Sequence, residues 1–460
     1  MSILVQTPDA LYMPQKLSTP KLGMPPEKVL KFACLIEGPF VRLAPNHISI
    51  TLPDAQPLIY GYGNGALTSL FYDVFVTTSR NHLTQPFAEE RCRVLDVCRY
   101  IGQLLGQWEK LYAQALKGVS GEVEVKAGKV LMEDFGWTAF HVRANYVTFD
   151  IINDLAFGRP FGMTAAGKDS APMAQDQHAV MNSYGQVGVK HASREIQVIK
   201  MIGGLSQTFL ATLGTLPRWW RSRIKLNPLM WEGGQDFRDI IGLAIMAVSK
   251  RLEAPTDRND ILSKLQAGKD EDGNPMGREE LTAEALTVLI AGSDTTANST
   301  CALIYYLART PSVQEKLQKE LDEHLDSQVA TAEQVKNLPY LQAVINEGNH
   351  FPEGTTLSAP IYTIHRDSAV FGDDVEEFRP ERWFKCDSAD VSKVFAPFSV
   401  GPRACIGRNL ANLEPQIIIG SNFKHFHIVL ENPDEKLKVH EGVLRKPVEC
   451  RVGLKRREVL

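Results

Sequence analysis

The sequence predicts a mainly α-helical protein with a small β region. Two observations carry that reading. Apolar residues return every three or four positions through Tyr100–Leu116 (YIGQLLGQWEKLYAQAL) and Asp239–Ala254 (DIIGLAIMAVSKRLEA), the period of a helix face. Alternation of the β kind is confined to the first 80 residues, which are rich in proline and glycine and include FVRLAPNHISI at Phe40–Ile50. With no repeat at a period of about 20–50 residues, the 460 residues read as one domain, strand-bearing over 1–80 and mainly helical over 81–460.

Composition narrows the function classes. At 44% hydrophobic and 23% charged residues the chain is that of an ordinary globular protein. A net charge of −4 excludes an extended nucleic-acid surface. The seven cysteines are scattered, odd in number and never in a C-x-x-C pair, which speaks against a disulfide framework or zinc ribbon. No run reaches the roughly 18 apolar residues of a membrane span; VLKFACLI near the start is too short and holds a lysine. As written, the chain shows no signal peptide and no anchor.

The most informative helix is expected to start at Thr282 as N-cap, with Glu284 in its first turn, and to stop before Pro311. It would be about 40 Å long at the usual rise per residue. Its ends, ALTVLIAG and CALIYYLA, are apolar all round and so buried, but its middle reads GSDTTANST. Glycine and β-branched residues weaken a helix, and buried Asp and Thr need partners. One reading is a bulge whose hydroxyls bond back to carbonyls one turn earlier. The other is a functional site distorted at Gly292, to which Asp294 supplies an acid and Thr295 a hydroxyl.

Three lookalikes read as turns. HRD at His365–Asp367 lacks the asparagine, Gly-rich loop and strand lysine of a kinase. GYGNG at Gly61–Gly65 lacks dinucleotide-loop spacing, and DEDGN at Asp270–Asn274 is too short for a calcium loop.

The stretch FSVGPRACIGRNLA at Phe398–Ala411 holds one thiol between glycines, just before a predicted helix. Gly401 and Gly407 remove side chains on either side of Cys405, so a flat, bulky ligand can approach the backbone. The helix N-terminus favours thiolate over thiol, and Arg403 offers charge to an anionic group of the ligand. A buried structural cysteine is the plain alternative. It suits Cys301 but leaves the glycine and arginine spacing around Cys405 unexplained.

Phe398, Gly401, Arg403, Cys405 and Gly407 match the F-x-x-G-x-R-x-C-x-G signature of the cytochrome P450 superfamily. AGSDTT at Ala291–Thr296 resembles that family's long central helix, and FRPERW at Phe378–Trp383 its P-E-R-F region. The resemblance implies the P450 fold and haem b, with Cys405 as axial thiolate of the iron, Phe398, Gly401 and Gly407 around it, and Arg403 on a propionate. It places Ala291 and Gly292 on the opposite face, where Thr295 and Asp294 hold dioxygen and relay protons. It further implies electrons from NADPH through a cytochrome P450 reductase docking on the cysteine side, and residence on the cytoplasmic face of the endoplasmic reticulum membrane.

Longer blocks, among them YGYGNGALTSLFYDVF, FDIINDLAFGRPFGM and LRKPVECRVGLKRR, resemble the fungal benzoate 4-monooxygenases. That resemblance implies para-hydroxylation of benzoate, which needs an apolar slot and a polar anchor for the carboxylate. Phe71, Tyr72, Phe75 and Ile290 lie in stretches similar to substrate-contacting segments; the aromatics also fit a plain core. The sequence singles out no anchor.

The departures from the family fall in patches. The family's buried E-x-x-R pair begins here at Glu347, but position 350 is His, so a charged bidentate partner is missing. Only 58 positions separate Glu347 from Cys405, short for the family, and Gly348 and Asn349 are helix terminators. The family's basic helix after Phe75 is replaced by VTTSRNHLTQPFAEERCRVLDVCRY, in which Arg80, His82, Arg91 and Arg93 are the candidate stand-ins. The start lacks the family's anchor and hinge, and Pro415 predicts a kink after the cysteine. The fold is therefore expected to be incomplete in the C-helix and post-K-helix regions, through segments dropped by mis-predicted exons or gene decay. Two other outcomes stay open: a haem binder impaired in catalysis or stability, and an oxygen-independent rearrangement catalyst, against which Asp294 and Thr295 speak.

Overall fold

The computed structural model describes residues 40–44, 47–50, 55–61, 94–117, 136–204, 223, 231–253, 260–268, 275–327, 329–348, 364–386, 388–401, 404–440 and 446–457. Eight helices position the site. They are α1 (Ala55–Tyr60), α2 (Val94–Ala115), α3 (Phe140–Phe157), α4 (Trp231–Glu253), α5 (Arg278–Arg309), α6 (Pro311–His324), α7 (Pro339–Gly348) and α8 (Arg408–His425).

Helix α5 is the spine. It begins one turn before the sequence-based expectation, capped by Gly277, because Glu279 and Glu280 in its first turn complement the helix dipole. Thr282 lies inside it, its hydroxyl bonded to the Arg278 carbonyl at 2.8 Å. The end before Pro311 is as expected, so the helix spans 32 residues, about 48 Å. It stays regularly α-helical through GSDTTANST, with no bulge at Gly292.

Two large apolar clusters meet along α5. The first takes the α5 positions from Ala297 to Ala308 and packs them with α2, α6, α7, α8 and two C-terminal strands. Its centre is Trp108, edge-on to Phe140 at 5.6 Å and to Phe426 at 5.4 Å. The second takes the α5 positions from Leu281 to Leu289 and packs them with α4 and the C-terminal half of α3. The polar middle of α5 is the seam between these clusters. A third, smaller cluster joins Ala55 of α1 to Ile364, Phe371 and Val394, ahead of the cysteine loop.

The β part is wider than the N-terminal region that the alternation marked. β1 (Phe40–Ala44) and β2 (His47–Ile50) lie in the stretch where alternation marked strands and pair antiparallel, with Phe40 opposite Ile50. Three further sheets lie in the part read as helical: β3 (Gly136–Ala139) with β9 (Arg451–Arg456) and β6 (Phe426–Leu430), β4 (Ala171–Ala174) with β5 (Ser193–Ile196), and β7 (Lys438–His440) with β8 (Lys446–Glu449). Each strand has three to six residues, too few for alternation to stand out from a loop. Among the described residues no helix is long and apolar enough to cross a membrane, and Cys98, Cys301, Cys386, Cys405 and Cys450 are free thiols.

Candidate functional site

The cysteine loop is closed by its own backbone. Cys405 N–H donates to the Phe398 carbonyl at 2.8 Å, and Ala404 N–H to the Gly401 carbonyl at 3.1 Å. Gly401 has φ 77, and a Cβ there would overlap the carbonyl oxygen of Tyr60 at the end of α1. This glycine thus serves the packing of α1 onto the loop. Gly407 answers the sequence argument more directly: its φ is ordinary, and a Cβ on it would meet only the Cys405 sulfur, at 4.0 Å. Arg403 lies outside the described residues.

Cys405 is exposed at the N-terminus of α8. Its thiol pKa is nonetheless raised, because desolvation by the surrounding loop outweighs the Gly407 backbone hydrogen bond and the Arg408 charge. A cation at the sulfur would favour the thiolate against that burial. Past the loop α8 runs on through Pro415 as one helix, where the sequence predicts a kink.

On α5, Ala291 and Thr295 are exposed one turn apart, and Ile290 is half-buried against the second cluster. The Thr295 hydroxyl donates to the Ala291 carbonyl at 2.7 Å and Ser293 to Leu289 at 2.7 Å, so the back-bonding of the plain reading is present without its bulge. Gly292 faces away from Ala291 and Thr295, and a Cβ on it would stand 2.6 Å from the Ile152 side chain of α3. Its role is close helix packing.

Asp294 is 1% exposed. One carboxylate oxygen takes a 2.6 Å ion pair from Lys446 Nζ on β8, and Asn298 donates to the other at 3.3 Å. Sequence reasoning missed Lys446, since a lysine 152 positions away carries no local signal. Glu414 on α8 is equally hidden: at 1% exposure neither carboxyl oxygen has a hydrogen-bond partner. Burial pushes its pKa up to about 8, with Thr296 nearby pulling weakly the other way.

The partner missing after Glu347 is supplied from elsewhere. Arg382, in the Pro380–Phe384 turn, donates from Nε to both Glu347 oxygens at 3.0 and 3.1 Å. Its remaining donors reach the Phe371 carbonyl at 2.7 Å, the Asp374 carboxylate at 3.1 Å, and the Asp374 and Glu377 carbonyls, both at 2.8 Å. Glu347 also accepts from Arg379 N–H at 2.9 Å and Trp383 Nε1 at 2.8 Å. The carboxylate has the charged partner that the sequence reading found absent, although burial still raises its pKa against these bonds. The signal was FRPERW itself, whose second arginine the E-x-x-R spacing draws attention away from.

Phe71, Tyr72 and Phe75, the stand-ins Arg80, His82, Arg91 and Arg93, and His350 lie outside the described residues, as does DEDGN. HRD forms a turn whose Asp367 caps the short helix Ser368–Phe371, accepting from Ala369 N–H at 2.9 Å.

The cytochrome P450 family model matches residues 139–348 and 347–454. The chain belongs to the cytochrome P450 family. Among its relatives is benzoate 4-monooxygenase bphA of Aspergillus niger, 38% identical over 92% of this chain and 86% of that one. Cytochrome P450 monooxygenase atr2 of Stereocaulon alpinum is 28% identical over 85% of this chain and 78% of its own length. Cytochrome P450 monooxygenase traB of Penicillium crustosum is 27% identical over 92% and 85%.

The P450 family implies haem and dioxygen-dependent monooxygenation. The described residues fit that group. Among the described cysteines Cys405 alone is exposed, with Gly407 two positions on leaving its sulfur uncrowded, and the small side chains of Ala291 and Thr295 are exposed along α5.

Proposed function

We propose that this P450 inserts one oxygen atom of O2 into a ring C–H bond of a small aromatic acid, benzoate para-hydroxylation being the specific reaction. The observation that carries the reading is the 38% identity to benzoate 4-monooxygenase bphA over nearly the whole chain. Haem, when bound, supplies the oxygen activation; the second oxygen atom leaves as water, with two electrons from NADPH through a separate reductase.

Cys405 would hold the haem iron, with Phe398, Gly401 and Gly407 around its loop, and Arg403 would offer its charge to a propionate. Ala291 and Gly292 belong to the α5 segment on the opposite side, where Thr295 and Asp294 pass protons inward from solvent. Ile290, Phe71, Tyr72 and Phe75 would be the residues that meet the apolar ring of the substrate. Glu347, held by Arg382, ties α7 to the third apolar cluster and so steadies the approach to the cysteine loop. All of this sits in one domain, on the cytoplasmic face of the endoplasmic reticulum.

The test is expression with haem, the carbon monoxide spectrum of the reduced protein, and product analysis with benzoate. A red-shifted thiolate-type Soret band, lost in Cys405→Ala, with 4-hydroxybenzoate formed, is the expected result. Haem uptake without turnover would favour the impaired haem binder, to which His350 and the short Glu347–Cys405 interval point. Absence of the thiolate band would overturn the assignment of Cys405.

A further inference from the structure

The middle of α5 is backed from α3 by one isoleucine. A Cβ built on Gly292 would stand 2.6 Å from both Cγ1 and Cδ1 of Ile152 and 3.4 Å from its Cβ, and these are the three atoms nearest to it. The outer carbons of Ile152 therefore fill the space that a side chain at 292 would take, and they lie against the α5 backbone.

Ile152 differs from the other apolar residues of α3. Ala144, Val147 and Ile151 belong to the first large cluster and Phe149, Ala156 and Phe157 to the second, whereas Ile152, only 3% exposed, belongs to neither. One turn earlier α3 carries Thr148, fully buried and bonded back to the Ala144 and Asn145 carbonyls at 3.1 and 3.2 Å. Ile152 thus stands in the seam, between the clusters that hold the two ends of α5.

The spacing of packed helices follows from the side chains at their contact, and a glycine on one helix leaves the partner's side chain to set it. The turn of α5 that Ile152 backs is the one that exposes Ala291 and Thr295, with Ile290 half-buried beside them. A shorter side chain at 152 leaves a void into which that turn can settle. Extra volume at the contact drives the turn outward.

We propose that Ile152 is a positioning residue for substrate specificity: through Gly292 it sets how far the 290–295 turn of α5 stands out over the substrate, and so the width of ring that the site accepts. This role rests on the small-aromatic-acid reading given above. Because Ile152 is buried, it acts through α5 and not by meeting the ring.

Spectral titration of the haem-loaded protein with benzoate and with 3-methylbenzoate, wider by one methyl, gives a ratio of dissociation constants without turnover. Ile152→Val, which lacks Cδ1, should shift that ratio about threefold toward the wider acid, and Ile152→Ala about tenfold, with the thiolate-type band kept. Gly292→Ala should shift it the other way, since its new Cβ meets the Ile152 carbons at 2.6 Å. Combined with Ile152→Ala, the same Cβ meets only the remaining Cβ, at 3.4 Å, and the contact is restored. The double variant should therefore return to within about twofold of the wild-type ratio and regain the urea midpoint lost in each single variant.

Lowered urea midpoints with an unchanged ratio would overturn the proposal and leave Ile152 as packing alone. Equal weakening of both acids, or additive losses in the urea cycle, would overturn it too. If the wild type binds neither acid, the small-aromatic-acid reading fails and takes this role with it; if the wild type binds them and the variants keep its ratio, the role fails alone. Should Ile152→Ala not fold, Ile152→Val, one carbon smaller than the wild type, still decides.

Discussion

Gly401 and Gly407 stand six residues apart in the cysteine loop, and their substitution should fail in different ways. Gly401→Ala places a Cβ in the left-handed region and against the Tyr60 backbone; urea unfolding should show a loss of about 2 kcal/mol or more, with haem content falling as a consequence. Gly407→Ala meets nothing but the sulfur. It should keep wild-type stability to within about 0.5 kcal/mol and lower haem content alone. Glu414 offers a pH test. Its pKa is raised to about 8 in the folded chain, so between its ordinary value near 4.5 and 8 the folded state holds the extra proton. Stability therefore falls as pH rises through that window, by up to about 1.4 kcal/mol per unit. Glu414→Gln should flatten the slope of the urea midpoint between pH 5 and 8; an unchanged slope would place its origin in another group.

Between elements, the strongest single constraint in the region is Arg382, whose guanidinium joins α7, the segment at Phe371–Glu377 and the turn that leads to Trp383. Trp383 in turn packs edge-on to Phe395 at 4.6 Å, three residues before Phe398. Removing the arginine strands a buried carboxylate, so Arg382→Ala should cost about 3–5 kcal/mol, and adding Glu347→Gln should recover part of it. Additive losses in the urea double-mutant cycle would contradict the geometry. This network also marks where the sequence stops being legible. Cys405, its glycines and the end of α5 before Pro311 follow from local rules of spacing and helix breaking, whereas the start of α5 lies a turn ahead of the Thr282 cap those rules suggest. The pairings of Glu347 and Asp294 do not, because Arg382 and Lys446 reach them across 35 and 152 positions; FRPERW marks Arg382 without saying what it meets, and Lys446 carries no local signal at all.

Across the whole molecule, α5 explains why a helix so polar at its centre remains regular. GSDTTANST is not a flaw within one apolar core; the clusters to either side end at Leu289 and begin again at Ala297, and the polar turns lie in the seam. Apolar burial therefore holds both ends of α5, while its centre relies on back-bonded hydroxyls, the Lys446 pair and whatever lies against Ala291 and Thr295. If haem fills that role, its removal should act locally. In hydrogen exchange on the holo and haem-depleted protein, amides around 291–299 and 398–408 should lose protection together, since a ligand stabilises the regions it contacts. Amides near Trp108 in the first cluster and Leu243 in the second should change little, because Trp108 and Leu243 are fully buried by protein alone. A uniform loss across both clusters would mean that the apolar halves cannot stand without the group at the seam.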